Sequence, residues 1–207
     1  MTNHQSHTIE AVNKIKIALV GNPNSGKSTL FNVLTGLKQN TANFPGITVD
    51  KKTGTCTLGH LESKNPVYAE IIDLPGTYSL YPKSSEEKIA VDIITDPARK
   101  DHPDILICIA AASNLKRSLL LCTQLIDLKT PVVLALNMID LAKAKNLTIK
   151  IQKLTKNLKL LSYAANYPYH GPNPQRGANL PNPPNLLVPC QFRPSSVPPS
   201  VNCNALN

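Results

Sequence analysis

The segment from residue 21 to residue 28 has the composition and spacing of a loop that binds phosphate groups. Glycines occupy positions 21 and 26, and Lys27 and Ser28 follow directly. The backbone N–H groups of such a loop can point at a phosphate, Lys27 can neutralise its charge, and the Ser28 hydroxyl can bind Mg²⁺. The segment follows a predicted strand and opens a predicted helix, as this chemistry requires. The predicted nucleotide-binding residues here are Gly21, Asn22, Asn24, Ser25, Gly26, Lys27, Ser28 and Thr29.

A second group of residues, Asp-Leu-Pro-Gly at 73–76, ends the third predicted strand. Asp73 can reach a magnesium ion through water, and the Gly76 N–H can donate to the terminal phosphate of a nucleoside triphosphate. The same four residues are also an ordinary turn sequence. Only the phosphate-binding loop upstream favours the nucleotide-binding interpretation.

Between these two groups, residues 43–49 occupy the place where a switch segment supplies a threonine to Mg²⁺ and the γ-phosphate. Thr48 is the candidate for that role. Thr41 lies close by in the sequence, and a threonine here is also typical of a plain β-strand. The predicted catalytic residues are Lys27, Thr48 and Gly76, and the predicted Mg²⁺ ligands are Ser28, Thr48 and Asp73.

A third group, Asn137-Met138-Ile139-Asp140, follows a predicted buried strand. The Asp140 carboxylate can accept hydrogen bonds from the ring N1–H and the exocyclic amine of guanine, whereas adenine has no donor at N1. Alone, this pattern would more often be a loop cap. In this order along the chain, the three groups predict a site for GTP or GDP, with Asn137, Met138 and Asp140 at the base.

The elements that must position these residues follow from the hydrophobic pattern. Apolar residues alternate or run together in short stretches that indicate buried strands, and they recur at helical spacing between those stretches. Ser84 and Glu87 offer a capping box for one of the helices. The predicted elements are strand 14–20, a helix from 27 to Gly36, strands 48–58 and 67–74 as an antiparallel pair, helix 85–95, strand 104–110, helix 115–128 and strand 131–136.

This alternation of strands and helices predicts an α/β fold, a mostly parallel sheet with helices on both faces. Together with the motifs, it indicates a P-loop NTPase of the Ras-like, TRAFAC type. Residues 1–13 are predicted to be a flexible N-terminus and residues 14–161 to form the GTP-binding domain. Residues 162–207 are rich in proline, contain no Asp, Glu or Lys, and are predicted to be disordered or aberrant. The C-terminal edge of the domain is therefore expected to be incomplete.

The net charge, the cysteines and the length of the apolar stretches indicate which partners and which cellular location to expect. The formal net charge of +9 would favour nucleic acid or an anionic membrane as a partner, but the lysines are scattered and aromatic residues do not accompany them. Solvated surface charge is the simpler interpretation, and no nucleic acid is expected. The five cysteines form no C-x-x-C pair, no signal peptide is recognisable, and the longest apolar stretch, 105–112, is too short to span a bilayer. These features predict a cytoplasmic chain.

Four stretches of sequence together resemble the G domain of the ferrous iron transport protein B family over about residues 15–158. They are Gly-Asn-Pro-Asn-Ser-Gly-Lys-Ser-Thr-Leu-Phe-Asn at 21–32, Asn-Phe-Pro-Gly-Ile-Thr-Val at 43–49, Asp-Leu-Pro-Gly-Thr-Tyr-Ser-Leu at 73–80 and Leu-Ala-Leu-Asn-Met-Ile-Asp-Leu-Ala at 134–142. Other GTPases share only fragments of them.

The resemblance implies a domain that regulates Fe²⁺ entry through GTP binding and hydrolysis. It implies a membrane permease in the same chain as partner, and a position at the cytoplasmic face of the bacterial inner membrane. It also makes K⁺ a candidate cofactor beside Mg²⁺, because relatives that respond to potassium hold the ion with an asparagine at the Asn24 position. Thr77 stands where Ras-like enzymes place a water-positioning glutamine, which predicts slow intrinsic hydrolysis.

The sequence departs from the family pattern near its end. A strand that leads to a Ser-Ala turn over the guanine, and a final helix, are expected but not recognisable after residue 161. This predicts that the natural product is truncated and that residues from about 160 onward come from a shifted reading frame or an aberrant end. Two alternatives stay open at this point: a ribosome-assembly or RNA-associated GTPase of the Era or Obg type, and an inactive GTPase remnant.

Overall fold

The computed structural model describes residues 14–36, 39–44, 49–60 and 66–164. Within these ranges the chain forms one seven-stranded sheet flanked by helices. The strands are β1 (Lys14–Gly21), β2 (Gln39–Asn43), β3 (Asp50–His60), β4 (Pro66–Asp73), β5 (Ile105–Ala111), β6 (Val132–Asn137) and β7 (Leu161–Ala164). The helices are α1 (Lys27–Thr35), α2 (Ser85–Thr95), α3 (Leu115–Asp127), α4 (Ile139–Ala144) and α5 (Ile151–Leu158).

Strand β1 lies at the centre of the sheet, whose order is β2-β3-β4-β1-β5-β6-β7. It pairs in parallel with β4 on one side and with β5 on the other, and β6 and β7 continue the parallel part. Strands β2 and β3 form the antiparallel edge. The predicted α/β class with a mostly parallel sheet is therefore confirmed, including the antiparallel pairing of β3 with β4.

Both faces of the central strand are buried, which explains why its sequence is apolar without interruption near its end. Ile17 and Leu19 belong to a core cluster with Leu30 and Phe31 of α1. On the opposite face, Ala18 and Val20 belong to a second cluster that includes residues of α2 and α3. Helices thus cover both faces of the sheet, as predicted.

The chain carries local signals that start and stop these helices. At the start of α2, the Ser84 hydroxyl accepts a hydrogen bond from the Glu87 N–H (3.2 Å), and the Glu87 carboxylate accepts one from the Lys83 N–H (2.7 Å). At the end of α1, Gly36 adopts a left-handed conformation with φ of 59°. The predicted Ser84 cap and the predicted helix end at Gly36 are confirmed, but the Glu87 carboxylate bonds the residue before the cap and not the cap itself, as a capping box would have it.

The C-terminal end of the sheet differs from the sequence prediction. Residues Leu161–Ala164 pair in parallel with Val133–Leu136, so a strand is present where the last strand was expected to be missing. This strand also crosses the predicted domain end at residue 161. The predicted flexible N-terminus at 1–13, the helix predicted to be missing and the proline-rich residues from 165 onward lie outside the described residues.

Three further elements were not predicted. The edge strand β2 has the polar sequence Gln-Asn-Thr-Ala-Asn, which lacks any apolar alternation. The helices α4 and α5 have six and eight residues, below the length at which helical periodicity becomes informative. Across the described ranges, every helix is too short or too polar to cross a lipid bilayer.

Candidate nucleotide site

The phosphate-loop segment connects β1 to α1 through two left-handed residues. Asn24 has a φ of 60° and Gly26 has a φ of 89°. The Ser25 N–H donates to the Asn22 carbonyl (3.2 Å), which closes the turn, and the Leu30 N–H donates to the Gly26 carbonyl (3.0 Å), which begins α1. The loop therefore wraps into a compact turn whose end is the N-terminus of a helix, a position that favours anions.

Close packing around the loop explains its glycines. A Cβ atom on Gly21 would lie 2.6 Å from the Ile109 carbonyl oxygen, and one on Gly26 would overlap the side-chain nitrogen of Asn137. A Cβ atom on Gly76 would lie 3.0 Å from the Pro23 ring and backbone. The segment after β4 and the last residue of β6 thus both pack against the phosphate loop.

The predicted Mg²⁺ ligands Ser28 and Asp73 are brought together. The Ser28 hydroxyl donates to Asp73 Oδ2 (3.0 Å), and Lys27 Nζ lies 3.2 Å from Asp73 Oδ1. The second contact is an ion pair without hydrogen-bond geometry, since Oδ1 has no hydrogen-bond partner. The Asp73 side chain is only 6% exposed, so one buried carboxylate faces both a lysine and a hydroxyl.

The third predicted Mg²⁺ ligand, Thr48, lies outside the described residues. The structure therefore does not test its role in catalysis or metal binding. Phe44, four residues before it, is fully buried, and its N–H donates to the Val49 carbonyl (3.0 Å). The two ends of the predicted switch segment are thus held together.

Asn137 connects the base side of the site to the phosphate side. Its Nδ2 donates to the Ser25 carbonyl (3.0 Å) across 112 residues of sequence, and its side chain is the one that a Cβ on Gly26 would strike. Sequence reasoning placed Asn137 at the guanine base and missed this contact with the loop. No pattern in the sequence reports it, because it depends on strands β1 and β6 ending at the same edge of the sheet.

Several polar atoms at the loop are buried and have no partner among the described residues. They are Asn22 Oδ1, Ser25 Oγ and Asn137 Oδ1. Buried polar groups are normally paired, because an unpaired one loses its hydrogen bonds to water. Of these three, the Ser25 hydroxyl can donate to a phosphate oxygen, whereas the two amide oxygens only accept and fit N–H donors of a ligand or water.

Met138 and Asp140 lie where β6 passes into α4. Met138 is buried and adopts a left-handed conformation with φ of 59°, and Asp140 is exposed in the first turn of α4. A cavity of about 500 Å³ lies behind α4, between it and the start of α5. It is lined by Leu136, Ile139, Ala142, Lys143, Leu147, Thr148, Ile149 and Ile151.

Thr77 follows Gly76 and is fully buried. Its N–H donates to the Gly21 carbonyl (3.1 Å), and its hydroxyl donates to the Ser79 carbonyl (2.7 Å). Both polar groups are therefore used within the protein. In this arrangement the Thr77 side chain is not available to orient a water molecule.

Comparison with known proteins places the chain in a family. The family model of ferrous iron transport protein B matches residues 15–165. The Fe(2+) transporter FeoB of Shigella flexneri is 42% identical over 146 residues, which cover 70% of this chain and 18% of that protein. The chain thus corresponds to less than a fifth of the length of that relative.

Solved structures give the same result. A point mutant of S. thermophilus NFeoB bound to GDP is 41% identical with a TM-score of 0.63, and the match covers 73% of this chain and 56% of that one. The G domain of the T. maritima FeoB iron transporter is 38% identical, also with a TM-score of 0.63, and the match covers 74% and 87% of the two chains. The resemblance expected from the four sequence stretches is confirmed.

Proposed function

Since the chain belongs to the ferrous iron transport protein B family, we propose that it is a guanine-nucleotide-binding GTPase domain whose switch segments couple nucleotide state to Fe²⁺ uptake. The observation that carries this proposal is the meeting of three motifs at one edge of the sheet. Lys27 and Ser28 contact Asp73, and Asn137 donates to Ser25. Ligands of open α/β sheets bind at this edge, outside the carboxyl ends of the strands.

The phosphate groups would lie against the loop 21–28. Lys27 would neutralise the β- and γ-phosphates, and the loop N–H groups would donate to their oxygens. Ser28, Asp73 and Thr48 would hold Mg²⁺, which adds positive charge where negative charge develops on the transferred group. The Gly76 N–H would donate to the γ-phosphate, and Asn24 would hold K⁺ at the exposed side of the loop.

The base would lie against the start of α4. Asp140 is exposed and free to accept from the guanine N1–H and exocyclic amine, and the buried Met138 fixes the turn that presents it. Asn137 would keep this turn in register with the phosphate loop through Ser25. The hydrogen bond from Asn137 to Ser25 would thus link the base-binding turn to the phosphate-binding loop.

The partners proposed beyond the nucleotide follow from the longer relatives. In a full-length chain the domain would act on a membrane permease that is part of the same chain. The domain itself would lie at the cytoplasmic face of the membrane. Its slow hydrolysis is supported by the buried Thr77, which occupies the place of the water-positioning glutamine.

The test is binding of labelled GDP and release of phosphate from GTP by the full chain. Lys27→Ala should weaken binding by about 10- to 100-fold, because a hydrogen bond to a charged group contributes about 1.5–3 kcal/mol. Lys88→Ala removes an exposed lysine from α2 and serves as the matched control. A Lys27→Ala variant equal to the parent in both assays would refute the proposal. Binding without phosphate release would indicate an inactive remnant.

A further inference from the structure

The segment that follows Gly76 contacts α3 at two points. The Arg117 guanidinium carbon lies 3.8 Å from the centre of the Tyr78 ring, a stacked cation–π contact. Two helical turns further along α3, Gln124 Oε1 accepts a hydrogen bond from the Leu80 N–H (2.8 Å). We call these two contacts the α3 anchor.

The anchor residues share one face of the helix. Arg117 and Gln124 are seven residues apart, which is two helical turns, so both side chains point toward the same segment. Leu120 lies between them and is 55% exposed. Residues 78–80 are therefore held to α3 at two defined points, and the partly buried Leu80 side chain also packs against the core cluster that includes Leu121.

The other end of the segment is fixed to the phosphate loop. The Thr77 N–H donates to the Gly21 carbonyl (3.1 Å), and Gly76 packs against Pro23 so closely that a Cβ would lie 3.0 Å from it. The position of Gly76 is consequently set by the loop on one side and, through residues 77–80, by α3 on the other. Loosening α3 contacts would free the segment without touching the loop.

We propose that Arg117 and Gln124 are positioning residues that keep the Gly76 N–H in place for the γ-phosphate. The inference rests on the proposed function: the contacts of residues 78–80 with α3 would enable the domain to distinguish GTP from GDP. GDP has no γ-phosphate, so it makes no use of the Gly76 N–H. Binding of a triphosphate and its hydrolysis both use that N–H.

The experiment compares anchor variants in the full chain. Gln124→Leu removes the acceptor at similar volume, and Gln124→Glu keeps an acceptor at the same place. Gln124→Leu should weaken GMPPNP binding and lower kcat about threefold to tenfold, the size expected for one hydrogen bond, while GDP affinity stays within about twofold. Gln124→Glu should restore the parent values.

Arg117→Ala tests the second contact, with Lys116→Ala as a control that removes an exposed positive charge from the adjacent position of the same helix. Arg117→Ala should reduce GMPPNP binding relative to GDP about threefold, whereas Lys116→Ala should leave the ratio unchanged. In the nucleotide-free chain, Gln124→Leu should also speed hydrogen exchange at the Leu80 amide, and Gln124→Glu should not.

The outcomes separate this inference from the proposed function. A parent that binds neither nucleotide would overturn both. If the parent chain distinguishes GMPPNP from GDP and the Gln124→Leu variant does so equally well, the inference alone would be overturned. Equal weakening of GDP and GMPPNP by Gln124→Leu would show a general structural effect and would also overturn it.

Discussion

The phosphate side and the guanine side of the site are built differently. On the phosphate side, Asp73 and Ser25 are buried and Gly21 and Gly26 admit no side chain. On the guanine side, Asp140 is exposed, and the neighbouring α5 contains no fully buried residue. The difference indicates that buried contacts at the ends of the central strands hold the phosphate loop, whereas the proposed base contact at Asp140 lies on short elements at the edge of the sheet.

The largest effect is expected from Asp73→Asn, which removes the charge that Lys27 pairs with. Breaking a buried ion pair on one side leaves an uncompensated charge and costs about 3 kcal/mol. The free energy of unfolding, measured in urea, should fall by this amount. The exposed Asp92→Asn should change it by less than about 0.5 kcal/mol. A variant as stable as the parent would show that the phosphate side is not held by this pair.

Next in size is Gly26→Ala, which places a methyl group against Asn137 at a φ of 89°. Overpacking of this kind costs about 1–3 kcal/mol, and nucleotide affinity should fall about 5- to 150-fold in a fluorescent-GDP titration. Gly36→Ala is the matched control, because Gly36 also has positive φ but open space around it. It should reduce the free energy of unfolding by about 1–2 kcal/mol, because alanine is strained at this φ, and leave nucleotide affinity unchanged. Equal affinity losses in the two variants would contradict the packing argument.

Asp140→Ala probes the guanine side. Because the side chain is exposed, the free energy of unfolding should change by less than about 0.5 kcal/mol. Inosine diphosphate lacks the exocyclic amine, so the parent should prefer GDP over it by about tenfold or more, the value of one hydrogen bond to a charged group. Competition binding should show that Asp140→Ala loses this preference. A preference that survives the substitution would assign base recognition to other residues.

The smallest effect is expected at α5. Leu154→Ala truncates a partly buried side chain that packs on the edge of the core, and it should cost less than about 1 kcal/mol. Leu121→Ala makes the same change at a fully buried position of α3 and should cost about 2–5 kcal/mol. Thermal unfolding of the two variants measures the contrast. Similar losses would mean that the edge is as firmly packed as the centre.

The parts of the fold that sequence reasoning predicted are those with a strong apolar period and a clear end signal. Strand β5, most of β6 and the second half of β1 are buried on both faces, so these stretches are continuously apolar. Strand β2 is exposed and polar, and its pairing with β3 leaves no trace in its own residues. Strand β7 has four residues and precedes a proline-rich segment, which led to the incorrect expectation that the strand was missing.

For the site, residue types and their order predicted Lys27, Ser28 and Asp73 as neighbours, and the structure brings them together. Contacts that depend on the order of the strands in the sheet could not be predicted from the sequence. The hydrogen bond from Asn137 to Ser25 and the anchoring of Leu80 by Gln124 both join residues far apart along the chain. Such pairs follow from which strands and helices become neighbours, and a local pattern carries no information on that.

The central position of β1 has a consequence for how the chain holds together. Every strand on one side of β1 comes from residues before 74, and every strand on the other side comes from residues after 104. A ligand that contacts both Asp73 and Asp140 would bind to both halves of the sheet, one on each side of β1, and hold them together. At a concentration 100 times its Kd, such a ligand adds about 2.7 kcal/mol to the stability of the folded state. The cellular supply of nucleotide would then determine how much of this chain escapes proteolysis.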